Sequence, residues 1–174
     1  DPALPEPPSP AAYGDMVCRV TQDWPVRLMF EPGRVIVGNA GALLSRVVRV
    51  KQGAKAPFVI VDAAMNDLLR PSLYDAWHDI RAVTPAGQRA AANVVGPVCE
   101  TGDTFAMGRD MDVVAAGDLV AFMTAGAYGA VMASTYNARA LVPEVLVRGD
   151  RFKVVRRRWT LEDQLKLETI PDWG

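Results

Sequence analysis

Apolar and polar positions follow two rhythms along this chain. Near the start, Tyr13, Val17 and Val20 recur at helical spacing behind Ser9-Pro10. That spacing predicts a helix from Pro10 to about Asp23, with Ser9 as N-cap and proline at the first helical position. VRLMFEPG at 26–33 is a short apolar run ended by Pro32 and Gly33, which predicts a buried strand over 26–31. RVIVGNAGALLSR at 34–46 fits helix or strand by pattern alone; we read 34–43 as mostly helical and 44–51 as the start of a strand.

From there the period shortens. KAPFVIVDA, ANVVGPV, DLVAFMT, PEVLVRGD and RFKVVRRR are β-branched runs divided by Gly, Asp or Pro. They predict an antiparallel barrel or sandwich from about residue 42 onward. VLVRGDRFKVV is read as a hairpin turning at Gly149-Asp150. Thr160 with Asp163 three residues on forms a capping box that opens a short helix to about Leu167. A lone strand at 26–31, with one helix on each side, cannot bury both of its faces. The chain is therefore expected to be the back end of something larger.

Composition narrows the classes. Of 174 residues, 50% are hydrophobic and 22% charged, with a net charge of −1. That is enough chain for a substantial core, and the near-neutral charge argues against nucleic acid as a partner. The longest apolar stretch, LVAFMTAGAYGAVMA at 119–133, is too short to span a bilayer and is interrupted by Thr124 and by glycine. The opening DPALPEPPSP lacks the basic and apolar regions of a signal peptide. Two cysteines, Cys18 and Cys99, make no disulfide framework, and the cytoplasm is the expected compartment. Cys18 beside Val17, together with Trp159, Trp173 and the methionines, is read as packing.

Four stretches carry candidate chemistry. EPGR at 31–34 places backbone N–H groups at a helix start, where a phosphate would be welcome; a plain strand–turn–helix link is the alternative. Arg70 and Tyr74 stand four apart in DLLRPSLYDAWH, a pair able to grip a carboxylate; an exposed arginine beside a core tyrosine fits equally. His78, the single histidine, is not read as a base. Tyr128 lies between small residues and could reach a ligand or pack in the core. GPVCETGD at 96–103 sets a thiol beside a carboxylate at a glycine-punctuated bend. The basic run at 156–158 reads as a solvated strand face.

Their order adds what no single stretch supplies. EPGR-x-IVGNAG-x-LL at 31–44, VDAAMNDLLRPSLY at 61–74, GPVCETGD at 96–103 and AGAYGAVMASTYNARALVPEVLV at 125–147 occur in one chain. This closely resembles the diaminopimelate decarboxylase family of fold-type III pyridoxal-phosphate enzymes. The resemblance implies a fold that is mainly β with some α. A Greek-key β-barrel of the alanine-racemase C-terminal type would occupy 42–174. Residues 1–41 would be the C-terminal remnant of a pyridoxal-phosphate-binding (β/α)8 barrel. The family chain is well over twice as long, so the resemblance also implies a truncated chain.

The roles follow residue by residue as implications of that resemblance. Glu31 would face the pyridine nitrogen of pyridoxal 5'-phosphate, and Gly33 and Arg34 would hold its phosphate. Arg34, Arg70 and Tyr74 would grip the substrate carboxylate, and Tyr128 would touch both cofactor and substrate. Cys99 would protonate the carbon that has lost CO2, and Glu100 would bind the distal ammonium. Free thiols are mostly protonated near neutrality, which suits a donor. The catalytic unit would be a homodimer whose active sites are shared between subunits, acting on a small amino acid, with no nucleic acid and no membrane. Glu100 with Arg70 favours meso-2,6-diaminopimelate, converted to L-lysine and CO2. The alternatives are a relative acting on carboxynorspermidine or a D-ornithine or lysine type substrate, or a non-catalytic homologue. Ala64 and Thr135 depart from the family pattern peripherally. None of Lys51, Lys55, Lys153 and Lys166 lies in the motif of the Schiff-base lysine, so the chain by itself is expected to be inactive. No metal is expected.

Overall fold

A computed structural model describes residues 1–173. Helix α1 covers Pro10–Thr21, and the Ser9 side chain accepts from the Ala12 N–H as the sequence predicts. After it the chain departs from the reading. Residues 26–31 form no strand, and Val26, Met29 and Phe30 are exposed. An apolar run becomes a strand only where a neighbour pairs with it, and among the described residues this run has none. Tyr13 instead packs edge-on against Phe30, with ring centroids 6.5 Å apart. Cys18, expected in a core, is exposed, and so is Trp173. Helix α2 is a single turn, Gly33–Val37, continued by a 3-10 turn at Gly38–Ala40.

The core begins at β1, Leu43–Lys51. It continues through β2 Phe58–Val61, the one-turn helix α3 Arg70–Tyr74, β3 Ile80–Ala82, β4 Arg89–Val95, β5 Thr104–Asp112 and β6 Leu119–Phe122. The six strands form one sheet in the order β3-β6-β1-β2-β4-β5. Pairings are antiparallel except β2 with β4, which run parallel; the all-antiparallel expectation is corrected there. The β2–β4 link carries α3 and β3 across, and that long connection is what permits a parallel pair.

β1 bends at a bulge between Val47 and Arg49, so its first half pairs with β6 and its second with β2. The bend curls the sheet until β3 nears β5, where the Ala82 N–H donates to the Asp112 carboxylate at 3.1 Å. The result is a nearly closed barrel. Its interior is filled from both halves by Val47, Val61, Val94, Val120 and Phe122, each no more than 1% exposed. Phe105 reaches the Phe122 ring across it, with centroids 4.5 Å apart.

Strands β3 and β5 are absent from the sequence reading. TFAMGRDMD in β5 has few β-branched residues and breaks its alternation at Gly108, whose N–H donates to the Asn93 side chain at 2.8 Å. Beyond the barrel, β7 Glu144–Arg148 and β8 Arg151–Arg156 form the expected hairpin. Thr160 and Asp163 cap α4, Leu161–Leu165, through the expected box. The basic run is mixed: Arg156 pairs with Glu144 at 2.9 Å, and Arg157 pairs with Asp163 at 2.6 Å.

Candidate functional site

Four segments meet at one end of the barrel: 31–41, 62–78, 96–103 and 124–139. Each is tied to the next by specific bonds. The Ala125 N–H donates to the Gly41 carbonyl at 2.8 Å, and the Gly126 N–H to the Gly38 carbonyl at 3.0 Å. The Thr124 hydroxyl donates to the Asn39 side chain at 3.0 Å. A Cβ on Gly126 would run into the carbonyl oxygen of Val37, so only glycine lets the two backbones approach this closely. These bonds fasten the turn carrying Arg34 to the loop carrying Tyr128. They also hold Thr124 and Tyr128 in the left-handed region, at φ 59° and 57°. Non-glycine residues pay about 1–2 kcal/mol for that conformation, and such strain clusters where a side chain must be aimed.

Tyr128 is thus held outward, half exposed, and the Arg70 guanidinium lies over its ring at 5.9 Å from the centroid. Arg70 opens α3, whose Pro71 fits an N-terminal helical position, and Tyr74 ends it exposed to solvent. The chain then reverses through Asp75 to buried His78. The His78 Nδ1–H donates to the Met123 carbonyl at 2.9 Å, and its own carbonyl accepts from Arg109 at 2.7 Å.

The turn before α3 is equally fixed. The Asp67 carboxylate accepts the Ala64 N–H at 2.9 Å. Arg139 Nε donates to the Asn66 side chain at 2.9 Å, and an Nη donates to the Asp62 carbonyl at 2.6 Å. The Ser134 N–H donates to the Asn66 carbonyl at 2.9 Å. Burial raises the Asp67 carboxyl above its ordinary range, against the pull of the Ala64 N–H and the Arg139 charge. A polar cavity of about 240 Å³ opens beside Asp62, Asp67, Arg139 and Arg158, and no sequence-predicted site residue lines it.

Cys99 and Glu100 sit exposed on the 96–103 loop. Glu100 Oε1 accepts the Gly102 N–H at 3.2 Å. A Cβ on Gly102 would lie 2.6 Å from the Ser72 hydroxyl, which places this loop directly on α3. Asp103, overlooked in the sequence, joins them: its carboxylate accepts from Met65 N–H at 2.7 Å and Val98 N–H at 2.6 Å. Arg34, Tyr128 and Arg70 are therefore joined directly or through one loop, and Cys99 and Glu100 reach them by way of α3. Glu31 stands exposed at the α2 entrance. Among the described residues, no cluster of His, Cys, Asp and Glu could hold a metal ion.

Residues 14–126 match the family described as pyridoxal-dependent decarboxylase, C-terminal sheet domain. The chain belongs to this family. It is 57% identical over 169 residues to a diaminopimelate decarboxylase of Zymomonas mobilis, covering 97% of this chain and 40% of that protein. It is 52% identical over 163 residues to the one from Neisseria meningitidis serogroup A, covering 92% of this chain and 40% of that protein. The crystal structure of diaminopimelate decarboxylase from Helicobacter pylori complexed with L-lysine superposes with a TM-score of 0.84 at 40% identity, over 94% of this chain and 40% of that one. The chain thus spans about 40% of the length of the curated relatives it matches.

The pyridoxal-dependent decarboxylase family implies a phosphorylated aldehyde cofactor, and this sheet domain offers a partial fit to it. The start of α2 is open, since a Cβ on Gly33 meets nothing within 4 Å. The Arg34 N–H belongs to the first helical turn, where amides lack an intrahelical acceptor. The Gly33 N–H donates to the Glu31 carbonyl at 2.9 Å, a contact a phosphate would have to displace. None of the four lysines, at 51, 55, 153 and 166, lies on the four converging segments.

Proposed function

We propose that this chain forms the C-terminal, substrate-facing part of a pyridoxal-phosphate-dependent decarboxylase that converts meso-2,6-diaminopimelate to L-lysine and CO2. The observation that carries this reading is the docking of the Cys99-Glu100 loop on α3, whose Arg70 lies over the exposed Tyr128 ring. In a dimer, the thiol and carboxylate extended by one chain would meet the guanidinium and phenol of the other. The substrate has matching needs at its two ends. Its distal end carries both an ammonium and a carboxylate, which calls for Glu100 and an arginine together.

The cofactor, bound mainly by the rest of the protein, supplies the electron sink for loss of CO2. In this chain Gly33 and Arg34 contribute to its phosphate site, and Glu31 and Tyr128 contact its ring. Arg34, Arg70 and Tyr74 hold the substrate carboxylate, and Glu100 holds the distal ammonium. Cys99 delivers its thiol proton to the carbon that has lost CO2, a step a positioned acid accelerates by about 10²–10⁴-fold.

The outward exposure of Cys99 and Glu100 suits a homodimer in which this loop completes the partner's site. Residues 1–41 act as the end of the cofactor-binding barrel, and 42–174 as the sheet domain. No helix is long and apolar enough to cross a membrane among the described residues, and two free thiols suit a cytoplasmic protein.

The test uses the full-length protein carrying this sequence. It is expected to release CO2 and L-lysine from meso-diaminopimelate only with pyridoxal phosphate bound, and Cys99→Ala should lower kcat by about 100-fold. A loss below about tenfold, or preference for a substrate lacking the distal carboxylate, would overturn the reading.

A further inference from the structure

The acidic residue closing the Cys99 loop has no place in the chemistry above, yet it is among the most buried charged groups in the molecule. Asp103 is 3% exposed. Its two carboxylate oxygens do different jobs: Oδ2 accepts the Val98 N–H at 2.6 Å inside the loop, and Oδ1 accepts the Met65 N–H at 2.7 Å in the turn that leads into α3. Its backbone closes the same loop, the carbonyl accepting from the Gly96 N–H at 3.0 Å and the N–H donating to the Glu100 carbonyl at 3.0 Å. The Glu100 N–H donates in turn to the Val98 carbonyl at 2.9 Å. Gly96 leaves just enough room, for a Cβ there would collide with both carboxylate oxygens.

We propose that Asp103 is a positioning residue: its carboxylate winds the loop that displays Cys99 and Glu100, and pins that loop to the turn presenting Arg70 and Tyr74. The loop that reaches the partner's site is thereby held in a fixed place on its own chain. This inference rests on the functional reading above. A carboxylate is required because both partners are N–H donors. Asparagine has the same shape but only one acceptor end, so its amide N–H₂ would face either Val98 or Met65 donor to donor. Burial raises the Asp103 carboxyl above its ordinary range, and the two N–H contacts with Val98 and Met65 hold it down. The charge of Arg139 adds a smaller pull in the same direction. The site therefore depends on backbone dipoles more than on an ion pair.

The experiment uses full-length enzyme in deuterated solvent, where the thiol exchanges its proton. Lysine product is analysed for the configuration of deuterium at the carbon that lost CO2, alongside kcat and KM. Wild type should give one configuration. Asp103→Asn should lower kcat by about 100-fold, as misplacement by about 1 Å does, and should place deuterium on both faces. A merely structural role would reduce the amount of active enzyme and leave the configuration pure. Gly96→Ala, which keeps the carboxylate and crowds it, should shift both readouts the same way and carries the test if Asp103→Asn does not fold. Wild-type kcat with a single configuration in either folded variant, while Cys99→Ala loses both, overturns the positioning role alone. Wild-type behaviour of Cys99→Ala instead overturns the functional reading on which it rests.

Discussion

Burial pushes the His78 imidazole below its ordinary value of 6.5; the bond to the Met123 carbonyl opposes this, and the charges of Arg70 and Arg109 add to it. The unfolded chain takes up a proton below about pH 6.5, whereas the native chain does so only at lower pH. The stability His78 contributes is therefore present above about pH 6.5 and is lost as the pH falls toward and through the folded value. The two buried carboxyls have the opposite sign. Asp67 and Asp103 are both raised, chiefly by burial. Their share is present below the ordinary 3.8 and is lost as the pH rises through their folded values. Between pH 7 and 5.5 the unfolded chain protonates this histidine, and comparison with a variant lacking it isolates that share. The thermal midpoint of wild type should fall over that interval by more than that of His78→Gln, which retains a donor for Met123 but does not titrate. Parallel declines in the two proteins would remove His78 from the account.

Among elements, local signals were legible and pairings were not. Ser9-Pro10, Thr160 with Asp163, and Gly149-Asp150 each act through neighbours a few residues away, and each does in the structure what the sequence indicates. Strand 26–31 failed because strand formation is decided by a partner at a distance. β5 was missed because Gly108 and charged Arg109, Asp110 and Asp112 hide its alternation. The parallel β2–β4 pair follows from a crossover no local pattern announces. The site divides the same way. Its motifs were readable as residue types in order, whereas Asp103 and His78 act through contacts with Met65 and Met123 that lie far away in sequence. The joint between α2 and the Tyr128 loop is a further case, since it depends on Gly126 having no side chain. Gly126→Ala in full-length enzyme should weaken cofactor retention by about tenfold or more, or about 1.4 kcal/mol, as read from cofactor absorbance after dialysis. Unchanged retention would show that this joint does not set the cofactor site.

Across the whole molecule, burial is distributed very unevenly. Among the described residues before Ser45, Gly38 alone is buried, whereas the main hydrophobic cluster lies between β1 and β6. Val35, Ile36, Leu146, Phe152 and Val154 are each more than half exposed. Apolar surface on that scale usually marks an interface, which fits a chain that spans 40% of its relatives' length. Under the proposed function, the barrel presents four bonded loops to a cofactor and substrate that the rest of the protein also holds. The most direct test is diffraction from crystals of the full-length protein soaked with L-lysine, the product. The lysine carboxylate is expected in density at the guanidinium of Arg34 or Arg70, beside Tyr128, with the neighbouring ammonium at Glu100 of the partner subunit and within reach of the Cys99 thiol of the partner subunit. Lysine bound elsewhere, with Arg70 and Glu100 facing solvent, would contradict the proposed function.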